Sequence, residues 1–169
     1  LAHIPLSLGE PKHPPPDFVV RALADAQALT TQLGIYPATK GSDDLRLAIS
    51  QWLGGRFGIG IDPATQVLPV YGTREALFSV AQALLSGKPG SLVGMPNPFY
   101  QIYEGAALLA GARPLYIANV ETNDYHADFR AVTADQWQAV EMVYICSPGN
   151  PTGQIMPAGD MQALIELAY

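Results

Sequence analysis

Residues 91–117 read SLVGMPNPFYQIYEGAALLAGARPLYI. The short apolar run Leu92–Met95 has the length of a buried strand. Pro96–Pro98 then breaks it with two prolines. Phe99–Ala110 carries apolar residues at helical spacing, and Pro114–Ile117 is a second short apolar run. Strand, helix and strand in that order form a crossover unit, which joins parallel strands.

The same alternation continues on both sides. Upstream, Val67–Tyr71 reads as a strand. Thr73–Leu85 reads as a helix with Leu77, Val80, Ala81 and Leu84 facing inward, and Ser86–Gly90 as a turn. Downstream, Ala118–Arg130 is polar and reads as a loop, Thr133–Val140 as a short helix and Met142–Cys146 as a buried strand. Ser147–Gly153 follows as a loop and a helix starts at Pro157. Buried strands alternating with helices predict an α/β fold, three layers deep, with a mostly parallel sheet between helices.

Toward the N-terminus the pattern differs. Leu1–Pro16 is proline-rich, and Pro14–Pro16 stiffens it into an extended arm. One helix is predicted from Asp17 to Gly34, with Phe18, Ala22, Ala26, Leu29 and Leu33 on one face. Ile35–Gly41 reads as a loop. Ser42 can cap the next helix, whose first turn holds Asp43 and Asp44 and whose apolar face is Leu45, Ile49, Trp52 and Phe57.

Of the 169 residues, 49% are hydrophobic and 14% charged, the composition of a chain that buries a core. Nine Lys and Arg residues are scattered and the net charge is −6, so the chain lacks the basic footprint of a nucleic-acid binder. No apolar run reaches the length of a membrane span, and no signal-peptide pattern opens the chain. The single cysteine, Cys146, lies in an apolar run with no histidine near it in sequence. It reads as a core residue, and a lone thiol fits a reducing compartment. A cytoplasmic location is therefore expected.

Three loops follow predicted strands, and ligand sites of open α/β sheets lie beyond the strands' C-terminal ends. In Tyr71-Gly72-Thr73-Arg74, glycine permits close approach, the next helix offers free N–H groups, and Thr73 and Arg74 add a hydroxyl and a charge. The set suits a phosphate; it equally suits a tight turn capped by Thr73. In Asn97-Pro98-Phe99-Tyr100, prolines fix a loop from which Tyr100 could stack on a flat heteroaromatic ligand, while Phe99 and Tyr103 read as core on one helix face. In Ser147-Pro148-Gly149-Asn150-Pro151-Thr152-Gly153, Asn150 either caps its own turn or offers its amide to a ligand above the sheet. Gly72 opens neither a dinucleotide-binding nor a Walker loop.

The string Asn150-Pro151-Thr152-Gly153 after a buried strand resembles the N-P-T-G loop of class I/II aminotransferases, fold type I of the pyridoxal-phosphate enzymes. The other two loops stand in that family's order. Leu8-Gly9-Glu10-Pro11 and Tyr36 with Gly41 and Leu45-Arg46 extend the resemblance along the chain. It implies pyridoxal 5'-phosphate as cofactor, with its phosphate on Thr73 and Arg74, its ring stacked on Tyr100 and its ring oxygen bonded by Asn150. It implies Gly9 beside the substrate carboxylate and Tyr36 reaching across a homodimer to the partner's phosphate. Arg74 occupies a position that varies in the family.

By the same resemblance, residues 1–34 are an arm and helix leading from a small domain. Residues 35–169 are the first part of the cofactor-binding large domain. The Schiff-base lysine lies later, so no catalytic residue is expected in this segment; Lys12, Lys40 and Lys88 do not match it. No metal is implied. Leu8-Gly9-Glu10-Pro11-Lys12-His13 and Asn97–Gly105 resemble the N-succinyldiaminopimelate aminotransferase subgroup of lysine biosynthesis. That subgroup implies glutamate and an N-succinylated 2-amino-6-oxo dicarboxylic acid as small-molecule substrates. Another fold type I enzyme, such as a carbon–sulfur lyase, and a non-catalytic α/β binding module are the alternatives.

Overall fold

The computed structural model describes residues 9–168, apart from the side chain of Gln32. The contacts divide the chain into two compact units that meet at Pro69 and Val70. Leu1–Leu8, half of the predicted arm, lie outside the described residues, and residues 9–16 have no regular structure.

In the first unit the predicted single helix is two. The first, α1, is Asp17–Leu23, and the second, α2, is Ala26–Gln32. The break has a local cause. The Asp25 carboxylate accepts from the N–H groups of Gln27 and Ala28 at 3.0 and 3.2 Å, which starts a new helix in place of continuing the old one. Helix α3, Asp43–Phe57, begins where expected. Ser42 caps it by accepting from the Leu45 N–H at 3.2 Å, with Asp43 and Asp44 in its first turn. It runs through Gly54-Gly55 and ends at Gly58, whose left-handed backbone (φ 69°) closes the last turn.

The buried residue of α3 is not on the predicted apolar face. Leu45, Trp52 and Phe57 are exposed, and Arg46 is buried, paired with Asp43 and donating to the Ala64 carbonyl at 3.4 Å. Ser50 donates to the Ile61 carbonyl at 2.6 Å, so polar contacts fold residues 61–64 back along α3. Gly41 (φ 77°) must be glycine: a Cβ there would lie 2.6 Å from Pro69 Cγ.

The second unit holds the sheet. Strands β1 (Leu92–Asn97), β2 (Arg113–Ala118) and β3 (Val140–Val143) are parallel, in the order β2-β1-β3. The predicted strand at Val67–Tyr71 does not form. Pro69 removes a backbone donor in its middle, and these residues have no ladder. The ladder of β3 starts two residues earlier than predicted, at Val140, shifts register by one residue at Glu141, and continues to Tyr144, whose N–H donates to the Gly94 carbonyl at 2.8 Å.

Helix α4 (Thr73–Leu84) and helix α5 (Ile102–Leu109) cover one face of the sheet. Val93 and Met95, alternate residues of β1, are fully buried there with Ala81, Tyr103, Ala106, Ala107 and Tyr144. The alanines let the two helices approach closely. The inward face of α4 is partly the predicted one: Ala81 is buried and Leu77 packs on the core, but Val80 and Leu84 are exposed, and Phe78 and Leu85 pack there instead. Helix α5 starts at Ile102, three residues later than predicted. Phe99 is therefore not on it and stacks on Tyr116 at 5.6 Å.

On the other face Gly94 sits against Val143 and Ile117, where a Cβ would press on Val143 at 3.3 Å. The 118–130 segment, predicted as loop, contains two 3₁₀ turns, Glu121–Asn123 and Phe129–Ala131, and Phe129 is buried. Helices α6 (Ala134–Ala139) and α7 (Ala158–Leu167) flank β3 in sequence. Thr133 caps α6, accepting from the Gln136 N–H at 3.3 Å.

Candidate functional site

The three parallel strands end on one edge, and two of the loops singled out in the sequence leave from it. Residues 98–101 follow β1 and residues 147–153 follow β3. The third, Tyr71-Gly72, leads into α4. Two contacts bring them together. Tyr103, in the first turn of α5, stacks on Tyr144 at 4.3 Å with ring planes 12° apart. The Tyr144 hydroxyl donates to the Leu77 carbonyl at 2.6 Å, tying the end of β3 to the first turns of α4. Burial pushes the Tyr103 hydroxyl up to about 12, and the neighbouring Cys146 thiol adds to the shift. Burial also raises Tyr144. Both phenols stay neutral through the physiological range, and the Tyr144 hydroxyl keeps its proton for the Leu77 carbonyl.

At the start of α4, Gly72 is the cap residue, with φ 150°, and no side chain caps the helix. Thr73 is the first helical residue rather than the cap, so the leading N–H groups point outward without a side-chain acceptor. Thr73 and Arg74 are exposed. Gly72 and Arg74 share an open depression of about 460 Å³ with Phe78 and Ile102, joining the first loop to the start of α5. Glu75 and Tyr71 line it as well; the helix N-terminus and the Arg74 guanidinium, beside the apolar Phe78 and Ile102, suit an anion attached to an apolar group.

Tyr100 is half-buried beyond β1, its ring edge-on to Tyr103 at 5.9 Å and 90°. Asn150 is exposed in the 147–153 loop. That loop is braced internally: the Gly149 N–H donates to the Gln154 carbonyl, and the Gly153 N–H to the Gly149 carbonyl, each at 2.7 Å. Asn150 also lines a small cavity of about 30 Å³ with Asn119 and Cys146. Cys146 is half-buried and donates to the Pro148 carbonyl at 3.1 Å, a structural contact.

Gly9 and Tyr36 belong to the first unit. A Cβ at Gly9 would meet nothing within 4 Å. Tyr36 is 97% exposed. Lys88 is exposed in the turn before β1, at the opposite end of the strands from the three loops. Among the described residues no cluster of His, Cys, Asp or Glu could hold a metal, and no helix is long and apolar enough to cross a membrane. Sequence reasoning passed over Tyr144 and Asn119. Tyr144 lay inside a run read only as buried strand, and Asn119 inside a segment read only as loop.

Residues 2–169 match the family model described as aminotransferase class I and II. The chain belongs to the class I and II aminotransferase family. A curated aminotransferase of this kind, the LL-diaminopimelate aminotransferase of Nitratidesulfovibrio vulgaris (strain DSM 19637 / Miyazaki F), is 33% identical over 96% of this chain and 41% of its own length. Among solved structures, an aminotransferase from Neisseria meningitidis Z2491 matches with a TM-score of 0.89 and 37% identity, over 97% of this chain and 41% of that one. A probable N-succinyldiaminopimelate aminotransferase from Thermus thermophilus matches with a TM-score of 0.82 and 32% identity, over 96% and 43%. The parallel α/β fold expected from the sequence is thus the aminotransferase fold. The subgroup named from the residues is represented among its structural neighbours. The chain spans about two fifths of the length of the aminotransferases it matches.

Proposed function

We propose that the full-length protein transfers an amino group using pyridoxal 5'-phosphate bound over the C-terminal ends of β1 and β3. One observation carries the reading: α4 opens at Gly72 with no side-chain cap, beside Arg74, in a depression shared with Ile102 at the start of α5. The phosphate would sit on the N–H groups and side chains of Thr73 and Arg74. Tyr100 would lie against the ring, and its neighbour Tyr103 limits how far it can swing. Asn150 would donate its amide to the ring oxygen and so favour the charged form of that oxygen. When bound, the cofactor supplies an electron sink for the charge formed as a substrate α-proton leaves. These residues bind and orient; the proton-carrying base is expected outside them, since Lys88 faces the wrong end of the sheet.

Gly9 would lie beside the substrate carboxylate, and Tyr36 would reach the phosphate of a partner subunit in a homodimer. Residues 1–34 would lead from a small domain, and residues 35–169 would begin the large one. The substrate would be an amino-dicarboxylic acid of the diaminopimelate type, a reading supported by the names of the curated relatives. A second reading, glutamate with an N-succinylated 2-amino-6-oxo dicarboxylic acid, is supported by the Thermus thermophilus neighbour. The test is kcat/KM of the full-length enzyme for LL-diaminopimelate with 2-oxoglutarate, beside that for N-succinyl-diaminopimelate. Preference for the free diamino acid is expected. Activity with neither, but with an aromatic amino acid, would remove the substrate assignment and leave transamination standing.

A further inference from the structure

Asn119 follows β2, and its main chain is fixed on two sides. Its N–H donates to the Asn97 carbonyl at 2.8 Å, and it forms an antiparallel bridge with Ala127. Its side-chain Oδ1 is fully buried and accepts no hydrogen bond from the protein. Leaving such an acceptor without a partner costs about 1–3 kcal/mol, and folded proteins meet the demand with protein or ordered water. Turning the amide over would put its nitrogen in the same buried place, so the demand remains.

Asn119 also lines the cavity of about 30 Å³ that it shares with Cys146, Gly149, Asn150, Thr152 and Gln154. A water needs roughly 10–15 Å³ and two to four polar partners. The volume suffices. The lining is more apolar than polar, with Pro96, Phe129, Ile145 and Met156 on it, but Asn119, Asn150, Thr152 and Gln154 supply polar atoms. Two of the nearby protein donors are engaged elsewhere: the Gly149 N–H bonds the Gln154 carbonyl, and the Gln154 side chain donates to the Asp124 carbonyl at 2.6 Å.

We propose that this cavity binds an ordered water that donates to Asn119 Oδ1 and joins it to the Gly149–Thr152 turn, which makes Asn119 a positioning residue for Asn150. The water site stands on its own geometry; its effect on Asn150 rests on the function proposed above. Because Asn119 is fastened to the ends of β1 and β2, the link ties the Asn150 loop to the sheet edge as a whole. Nothing in this role requires Asn119 to touch substrate or cofactor.

The test pairs crystallography with a cofactor titration on the full-length protein. At a resolution that shows waters, the wild type should have one within about 3.2 Å of Asn119 Oδ1. Asn119→Leu, similar in size and without a polar atom, should lose it. With pyridoxal 5'-phosphate bound, Asn119→Leu should shift the pH midpoint of the visible absorbance in the same direction as Asn150→Ala, by a smaller amount. Added to Asn150→Ala it should produce no further shift. A wild-type structure with no water at Oδ1 overturns the inference, whether or not the variant folds. A midpoint that moves with Asn150→Ala but not with Asn119→Leu overturns the positioning role and leaves the cofactor reading intact. A midpoint that ignores Asn150→Ala sinks the cofactor role of Asn150, while the water site is decided by the density alone.

Discussion

Asn150 sits on a loop whose main chain is closed by its own hydrogen bonds, so replacing its side chain should leave the loop standing. Asn150→Ala in the full-length enzyme should raise the pH midpoint of the bound cofactor's absorbance. A hydrogen bond to a charged group is worth about 1.5–3 kcal/mol, or roughly one to two pH units. An unchanged spectral titration would refute the assignment. The loops that carry Gly72, Thr73, Arg74, Tyr100 and Asn150 were legible because glycine and proline mark them in the sequence. Arg46 and Asn119 were not. A buried arginine looks like any surface arginine until the 61–64 segment folds over it. The buried end of Asn119 depends on the 118–130 segment meeting the 149–156 loop, a contact that no local pattern encodes.

At the level of elements, the crossover read from residues 91–117 corresponds to β1, α5 and β2, because a strand buried on both faces and an alanine-rich helix leave strong apolar patterns. Two elements misread upstream failed for opposite reasons. The 67–71 run has strand-like composition but a proline in its ladder and no partner. The 17–34 run has helical spacing throughout, but Asp25 offers a better cap than a continuation. At the opposite end of the sheet from the candidate site, the Glu141 carboxylate accepts from the Ser86 N–H and the Ser91 hydroxyl, each at 2.7 Å, and from the Ser86 hydroxyl. These bonds hold Glu141 at about 2, below its ordinary 4.5. A carboxylate lowered on folding contributes stability that is complete above its unfolded value and is lost as pH falls through its folded one. The urea midpoint of the wild type should therefore fall between about pH 4.5 and 2 more steeply than that of Glu141→Gln. Equal slopes would show that the network adds nothing to acid stability.

For the whole molecule, a site shared between subunits makes a prediction that a self-contained site does not. Tyr36 is exposed on the first unit, and the proposal sends it to the partner's phosphate. Tyr36→Phe should weaken cofactor retention, measured as the dissociation constant for pyridoxal 5'-phosphate. In a hybrid of Tyr36→Phe with Asn150→Ala, one site carries both changes and the other neither. Random reassortment makes half the dimers hybrids, so about a quarter of all sites should become native. No recovered activity, with subunit mixing confirmed by mass, would count against a shared site. The fold of the second unit was readable because its strands and helices alternate in short, strongly apolar runs. The apolar residues that α3 leaves exposed could not be anticipated from its helical spacing, which says only that they share a face.

The crystal structure of the full-length enzyme with pyridoxal 5'-phosphate would show whether the cofactor binds between the start of α4, the β1 loop and the β3 loop. The phosphate should lie within hydrogen-bonding distance of the N–H groups of Thr73 and Arg74, with the ring against Tyr100 and its ring oxygen at the Asn150 amide. A cofactor bound elsewhere, with these residues facing solvent, would contradict that placement.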